Sequence, residues 1–360
     1  MIRLLSYSPA IGLNVVVHPR AAIAARIPAL TEFVRASAPL VTLSKHPAWL
    51  DIFRTAMDHE VYAIEAVAGG QTFGFLPLVH VSSLLFGRFL VSLPYLNSNG
   101  VIAESADVQA QLVGRAVTLA EELNVRYLEL RHEQAIEHPD LTAELTSKVH
   151  MRLDLPETHE QLWKGLDTKV RNQVRKGEKP GFSVAWGGHD LLPGFYEVLS
   201  ENMRDLGTPV YARSLFREIL STFPDRAEIC LVKAGEKPIA TALLLHGWGV
   251  TEVPTASSLK AYNPTSVNVM MYWRLLQRSV ERGQRQFDFG RSTTEGGTFK
   301  FKKQWGAVPH PAVWQYAVKE GEAPDLRPDN PRYERAIRLW QKLPVRLTQL
   351  LGPSIVRGIP

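Results

Sequence analysis

The sequence predicts an α/β protein of the α+β kind, built as two similar halves in tandem, each a mixed sheet covered by helices. Three observations carry that prediction. At 360 residues the chain has room for about two domains of roughly 150 residues. A hairpin signature occurs twice, in residues 61–67 with 72–79 about Gly69-Gly70 and in residues 228–232 with 238–246 about Gly235-Glu236. Each hairpin is then followed by the same succession of strand, loop, helix and strand, and His80 and His246 fall at the same place relative to their turns.

The elements follow in order. The first residues should form a strand and a helix, and residues 44–53, opening on Ser44 with Pro47 in the first turn, read as a capped turn into a second helix. After the first hairpin, residues 88–93 read as a strand and residues 94–100 as a loop rich in turn formers. Ser105 is placed to cap a helix whose Leu112, Ala116, Leu119 and Leu123 share a face, and residues 126–131 return as a strand. In the second half a strand near residues 250–256 leads through Tyr262 to Asn263-Pro264, a cap followed by proline at a first helical position. The stripe Val269, Tyr272, Trp273, Leu276 and Val280 then defines a helix ended by Gly283, and a strand from Phe287 to Phe289 follows.

Between the halves, Thr158 with Gln161 spells a capping box. Leu162, Leu166, Val170 and Val174 recur every fourth residue behind it, while the other face carries Lys164, Lys169, Arg171, Arg175, Lys176 and Lys179, with Asp167 and Glu178 against them. Such a cationic face suits phosphates or an RNA backbone, and equally an ordinary solvated surface. The tail is basic too, with Arg327, Arg332, Arg335, Arg338, Lys342, Arg346 and Arg357 against Asp329 and Glu334. Its Ile337, Trp340, Leu343, Leu347, Leu350 and Leu351 make an amphipathic segment interrupted by Pro344, suited to docking on the protein itself or to an anionic membrane surface. The expected divisions are therefore residues 1–155, 156–325 and 326–360.

Hydrophobic content of 45% and charged content of 21% are those of a soluble globular protein, and a formal net charge of +5 tolerates anionic partners. The single Cys230 lies in an apolar run and allows no disulfide within the chain, which fits a reducing cytoplasm. Residues 1–9 lack the features of a signal peptide, and no apolar run approaches the roughly 20 residues of a membrane helix. The expected location is the cytoplasm, with peripheral contact at the inner face of the membrane. P-loop, HExxH, CxxC and GxSxG patterns do not occur, and the histidines are scattered without ligand spacing, so no metal site is expected.

The chemistry is expected in residues 286–306, where a half-buried strand, a glycine-rich turn and the alternation Phe299, Lys300, Phe301, Lys302, Lys303 meet. An ordinary strand, turn and basic helix end would look the same. Together with residues 168–182, the run 299–306 and the order of two similar halves, the sequence resembles the FemAB group. These are non-ribosomal peptidyl or aminoacyl transferases with tandem acetyltransferase-like (GNAT) domains. The resemblance is nearest to the branch found beside exopolysaccharide and exosortase (PEP-CTERM) genes, through Phe289 to Thr293 and Gly352-Pro353.

The resemblance implies transfer of an acyl or aminoacyl group to an amine. In the peptidoglycan members the donor is aminoacyl-tRNA, the acceptor is a cell-wall precursor and a Phe-Lys pair contributes to the reaction; that pair maps onto Phe301 and Lys302. An ammonium there suits the oxyanion of a tetrahedral intermediate. Asp288 is the candidate for orienting the amine or taking its proton, its ordinary alternative being a strand-end carboxylate paired with Arg291. Arg171, Arg175, Arg291, Lys300, Lys303 and Tyr262 are the candidate substrate-binding residues. No cofactor is expected to be bound: the donor is aminoacyl-tRNA, acyl-CoA or an acyl carrier protein, and the acceptor an anionic glycan or lipid-linked precursor. One departure concerns CoA, because residues 257–264 hold no glycine and place Pro264 where a phosphate-cradling amide is wanted. A non-catalytic adaptor of a polysaccharide system is the alternative outside enzymes.

Overall fold

The computed structural model describes residues 12–83, 86–319 and 334–359. Arg327, Asp329, Arg332 and the expected boundary at residue 325 lie outside the described residues, as does the chain up to residue 11. In the first half β1 (Asn14–Pro19), β2 (Glu60–Ala68), β3 (Gln71–Ser83), β4 (Gly87–Val91) and β6 (Tyr127–His132) lie side by side in that order, and the short β5 (Ile102–Ala103) pairs with β3. Helices α1 (Arg20–Ala36), α2 (Trp49–Met57) and α3 (Ala106–Glu122) cover it, and Ser105 caps α3 by accepting a bond from Val108 N. The second half repeats the plan with β8 (Ser183–Gly187), α6 (Leu192–Leu206), α7 (Arg213–Thr222), β9 (Ala227–Ala234), β10 (Lys237–His246), β11 (Val250–Ser258), α8 (Val267–Glu281) and β12 (Gln286–Thr293).

The join between the halves is made by exchange. Strand β7 (Ala143–Asp154) follows β6 in sequence but pairs antiparallel with β12, whereas β13 (Val308–Val318), which follows β12, pairs antiparallel with β6. β7 and β13 also pair with each other, so all strands form one sheet with β6-β13-β7-β12 at its centre. One apolar core spans both halves, including Leu30, Trp49 and Phe53 with Phe195, Phe216 and Phe223. A second lies beneath α3, and a third beneath α8, α4 (His159–Gly165) and α5 (Thr168–Glu178). Burying three such cores at about 25 cal/mol per Å² is the main drive to this arrangement.

The capping box at Thr158 forms as its spacing predicts, and Leu162, Leu166, Val170 and Val174 are all buried, although the chain leaves helical geometry at Leu166. Three local expectations differ. Ser44 caps no helix: α2 begins at Trp49 behind Ala48, and the Ser44 hydroxyl is spent on a distant carboxylate. Pro264 sits in a 3-10 turn, Lys260–Thr265, and α8 starts only after Ser266 adopts a left-handed conformation at φ 64°. The alternating run at 299–303 belongs to a helix, α9 (Gly297–Lys303). A helix turns Phe299 and Lys302 inward, three apart, and leaves Lys300 and Lys303 exposed.

Candidate active site

Each half contains one parallel pair whose hydrogen bonding is brief: β4 with β6 at Leu90↔Leu128 and Val91↔Glu129, and β11 with β12 from Val250↔Gln286 to Glu252↔Asp288. In the first half β4 ends there and Ser92 N still donates to Glu129 O at 2.9 Å, whereas in the second β11 and β12 run on unpaired with each other and side chains from the loops of the first half reach them. Ser44 donates to Glu252 through both its amide (2.9 Å) and its hydroxyl (2.7 Å). Asn97 Oδ1 accepts from Arg291 Nε at 3.1 Å.

A bulge in β12 sets the geometry. Its register against β7 shifts between Asp288 and Arg291, and Gly290 takes φ 76°, where a side chain would be strained and its Cβ would meet Asn97 Nδ2 at 3.2 Å. Asp288 Oδ1 accepts from the Gly290 amide at 2.7 Å. At the bulge Lys302 Nζ donates to the carbonyls of Gly290 and Arg291, at 3.0 and 2.9 Å. Lys302 is only 7% exposed, so its ammonium turns into the protein and not into solvent. Burial lowers its pKa to about 8, against the opposing pull of Asp288.

The carboxylates around it are unequal. Asp288 is buried and paired with Arg152, whose Nε reaches Oδ2 at 2.9 Å; Arg152, not Arg291, is its partner. The same guanidinium grips Glu133 with two bonds of 2.8 and 2.9 Å, and although burial pushes that carboxyl up, Arg152 and Lys45 hold it well below the usual range. Glu252 forms no ion pair among the described residues. Burial, and then the charge of Asp288, push it up to about 7, despite the two bonds from Ser44. His150, 3.9 Å from Asp288, is brought down to about 4 by burial and is neutral at pH 7.

Arg291 is the opposite case, a cation with too little opposite charge. Its guanidinium lies 3.6 Å from the ring centre of Trp314, over which Arg131 also stacks at 4.0 Å. Burial and the Arg131 charge lower it to about 9. Arg131 is neutralised by Glu129 at 2.7 Å, whereas Arg291 forms no ion pair with a carboxylate among the described residues. Such a group favours an incoming carboxylate or phosphate.

Beside this seam a cleft of about 790 Å³ opens between α5, α8 and α9. Lys169 and Gln173 of α5 and Lys300, Phe301, Lys303 and Trp305 line it. Trp305 Nε1 and Gln173 Oε1 are buried atoms without a hydrogen-bond partner. Phe301 packs edge-on against Tyr272 at 5.0 Å, so Phe301 faces the cleft while Lys302, next in sequence, faces the bulge. Arg171, Arg175 and Tyr262 do not line it: Arg171 binds Thr168, Arg175 binds Asn172 and lies over Trp163, and Tyr262 packs on Phe182. Among the described residues no three histidine, cysteine, aspartate or glutamate side chains gather to hold a metal ion.

Each half thus carries one short parallel pair, and buried ionisable groups gather at the end of the second. Residues 166–303 match the acetyltransferase (GNAT) domain. No curated protein matches the chain. Among solved structures, FemX is similar at 14% identity and TM-score 0.61, over 85% of this chain and 97% of that one. The C-terminal domain (DUF2156) of a putative lysylphosphatidylglycerol synthetase from Agrobacterium fabrum is similar at 14% identity and TM-score 0.54, over 83% and 92%. A tandem GNAT protein from the clavulanic acid biosynthesis pathway is similar at 10% identity and TM-score 0.53, over 86% and 100%. The fold is thus two GNAT units in tandem, and the domain match supports an acyltransferase. The structure brings Lys302 and Asp288, both expected from residues 286–306, to one bulge; Glu252, Glu133 and Arg152 join them from elsewhere, where the basic and acidic letters give no local pattern.

Proposed function

We propose that the protein transfers an acyl or aminoacyl group from an activated ester or thioester to an amine of an envelope glycan or lipid-linked precursor. The observation that carries this is the seam at the β12 bulge, where Glu252 at about 7 and Lys302 at about 8 both border Asp288. A base and an acid brought toward neutrality from opposite sides suit proton exchange at cellular pH. In the proposed reaction the amine nitrogen attacks the carbonyl carbon, Glu252 takes the nitrogen's proton, and the C–O or C–S bond breaks as the leaving atom regains a proton. Two protons of Lys302 serve the carbonyls of Gly290 and Arg291, and its third serves the oxyanion or leaving oxygen. Asp288 holds the bulge and couples the two groups, and Arg291 receives an anionic group of the acceptor.

The basic cleft with Lys169, Lys300 and Lys303 suits a phosphorylated donor, with Arg171 and Arg175 guiding it along α5. Aminoacyl-tRNA is the preferred donor. Gly177 of α5 approaches α8 so closely that a Cβ would meet Ser266 O at 2.8 Å and Met270 at 2.6 Å, which crowds the first turn where CoA phosphates bind in the usual manner. The GNAT match favours a second possibility, acyl-CoA or an acyl carrier protein as donor. FemX and the lysylphosphatidylglycerol synthetase domain suggest an acceptor at the envelope, and assignment to the exopolysaccharide (PEP-CTERM) branch rests on sequence resemblance. We also propose units dividing at residues 155/156, with work at the inner face of the membrane.

The test is mass profiling of the envelope glycan and lipid-precursor fractions from a deletion strain carrying either the wild type or Lys302→Ala. An acyl or amino-acid mass should vanish with the deletion and return only with the wild type, the variant retaining less than about one hundredth of the transfer. Full return of that mass with folded Lys302→Ala would refute the role of the ammonium. Saturable heat with acetyl-CoA in calorimetry would favour the second donor.

A further inference from the structure

The chain closes with α10 (Glu334–Trp340) and α11 (Val345–Val356), laid back on α6. Arg204 donates to Leu343 O at 3.1 Å, Gln341 to Asp205 O at 3.0 Å, and Arg357 to the Asp58 carboxylate at 3.0 Å. The face α11 turns inward is Thr348, Gly352 and Val356, spaced four apart. A Cβ at Gly352 would stand 2.9 Å from Val210 N, so the helix seats close against backbone.

The outward face is the anomaly. Leu347, Leu350 and Leu351 are 38%, 73% and 43% exposed, Leu339 of α10 is 67% exposed, and Leu206, next to the Asp205 contact, is 62% exposed. Seven large hydrophobics are exposed among the described residues, and five of them are these leucines. A helix docked only for stability turns its leucines in and its small and polar residues out; α11 does the reverse. Arg335, Arg338, Lys342 and Arg346 are exposed along the same two helices and the turn between them, and Glu334, the one acidic residue from 334 to 359, pairs with Arg338 alone among the described residues, at 3.4 Å.

We propose that this surface docks on the anionic face of a lipid bilayer, with the leucines in the headgroup boundary and the four cations against lipid phosphates. Like charge disfavours a second copy of the same surface, and opposite charge favours the lipid. The contact is one of lying on the membrane, since no helix among the described residues is long and apolar enough to cross it. It takes no residue from the transfer site, so it stands or falls separately from the proposed reaction.

The experiment is flotation of the full chain with vesicles of phosphatidylglycerol and phosphatidylcholine in equal parts, beside vesicles of phosphatidylcholine alone. Binding to the first and little to the second is expected, falling with added salt. The triple variant Leu347→Ser, Leu350→Ser, Leu351→Ser should partition at least ~10-fold more weakly with an unchanged melting temperature, because these side chains are exposed. Replacing Arg335, Arg338, Lys342 and Arg346 by Gln should weaken binding at least ~10-fold and abolish its salt dependence. The proposal is overturned by absent wild-type flotation, by equal binding to neutral vesicles, or by a triple variant that floats like the wild type. It is equally overturned if sedimentation velocity shows a wild-type dimer that the triple variant turns into a monomer.

Discussion

The two halves are built alike and charged differently. In the first, the last residue pair between the parallel strands is Val91↔Glu129; in the second, it is Glu252↔Asp288. The first half thus sets one carboxylate against an apolar residue and neutralises it on the spot with Arg131 at 2.7 Å. The second sets two carboxylates side by side, supplies Arg152 to one of them, and leaves the other to rise to about 7. The repeated frame carries a finished ion pair in one half and an unfinished one in the other. Unfinished electrostatics are costly to folding, and they mark the half where chemistry is to be sought.

That contrast can be broken, most severely at Glu252. Glu252→Gln should lower kcat/KM by about 10²–10⁴-fold while the chain stays folded, as loss of a general base does. An unimpaired Glu252→Gln enzyme would mean that the second half is as inert as the first. The matching change in the first half, Glu129→Gln, should act on stability: it strands the buried Arg131 and costs about 3–5 kcal/mol, read as a lower midpoint in urea, with the chemistry of folded molecules preserved. Equal effects of the two changes on activity would erase the distinction.

Titration sharpens it further. Activity should rise as Glu252 ionises through about 7 and fall as Lys302 deprotonates through about 8, a narrow bell whose limbs belong to the coupled groups together. Stability follows its own sign. The folded value of Glu252 lies above its ordinary 4.5, so the folded state holds the proton more tightly, and that stabilisation is complete below 4.5 and lost as pH rises through about 7. Denaturant midpoints of wild type and Glu252→Gln, compared between pH 5 and pH 8, should show the wild type losing ground. Parallel curves would assign the rising limb to another group.

Local features of the fold were legible in the sequence because they depend on neighbours along the chain. The hairpins about Gly69-Gly70 and Gly235-Glu236, the Ser105 cap and the Thr158 capping box all form where their letters stand. The run 299–303 stands out because aromatic and cationic residues alternate in it, and the resemblance to the FemAB group singles out Lys302 there, although neither foretells the helix that carries it. What escaped was joined across distance. Ser44 and Glu252 are 208 residues apart, and Arg152 and Asp288 are 136 apart. Pairings of that span leave no period in the sequence, and Ser44 in front of Pro47 looks like a cap until a strand from the other half arrives to claim its hydroxyl. The sequence groups the leucines of α11 with Ile337, Trp340 and Leu343 in one amphipathic segment, but periodicity carries no sign and cannot say whether a stripe faces in or out.

The crossing of β7 and β13 reaches beyond geometry. The first half closes on β13, encoded after the second half, and the second closes on β7, encoded at the end of the first, so neither can complete its sheet alone. Cut in the stretch between Asp154 and Thr158, the polypeptide would yield two fragments with raw edges, each the other's missing part. Neither half could be lost without leaving the other's sheet open, wherever in the molecule the chemistry is done.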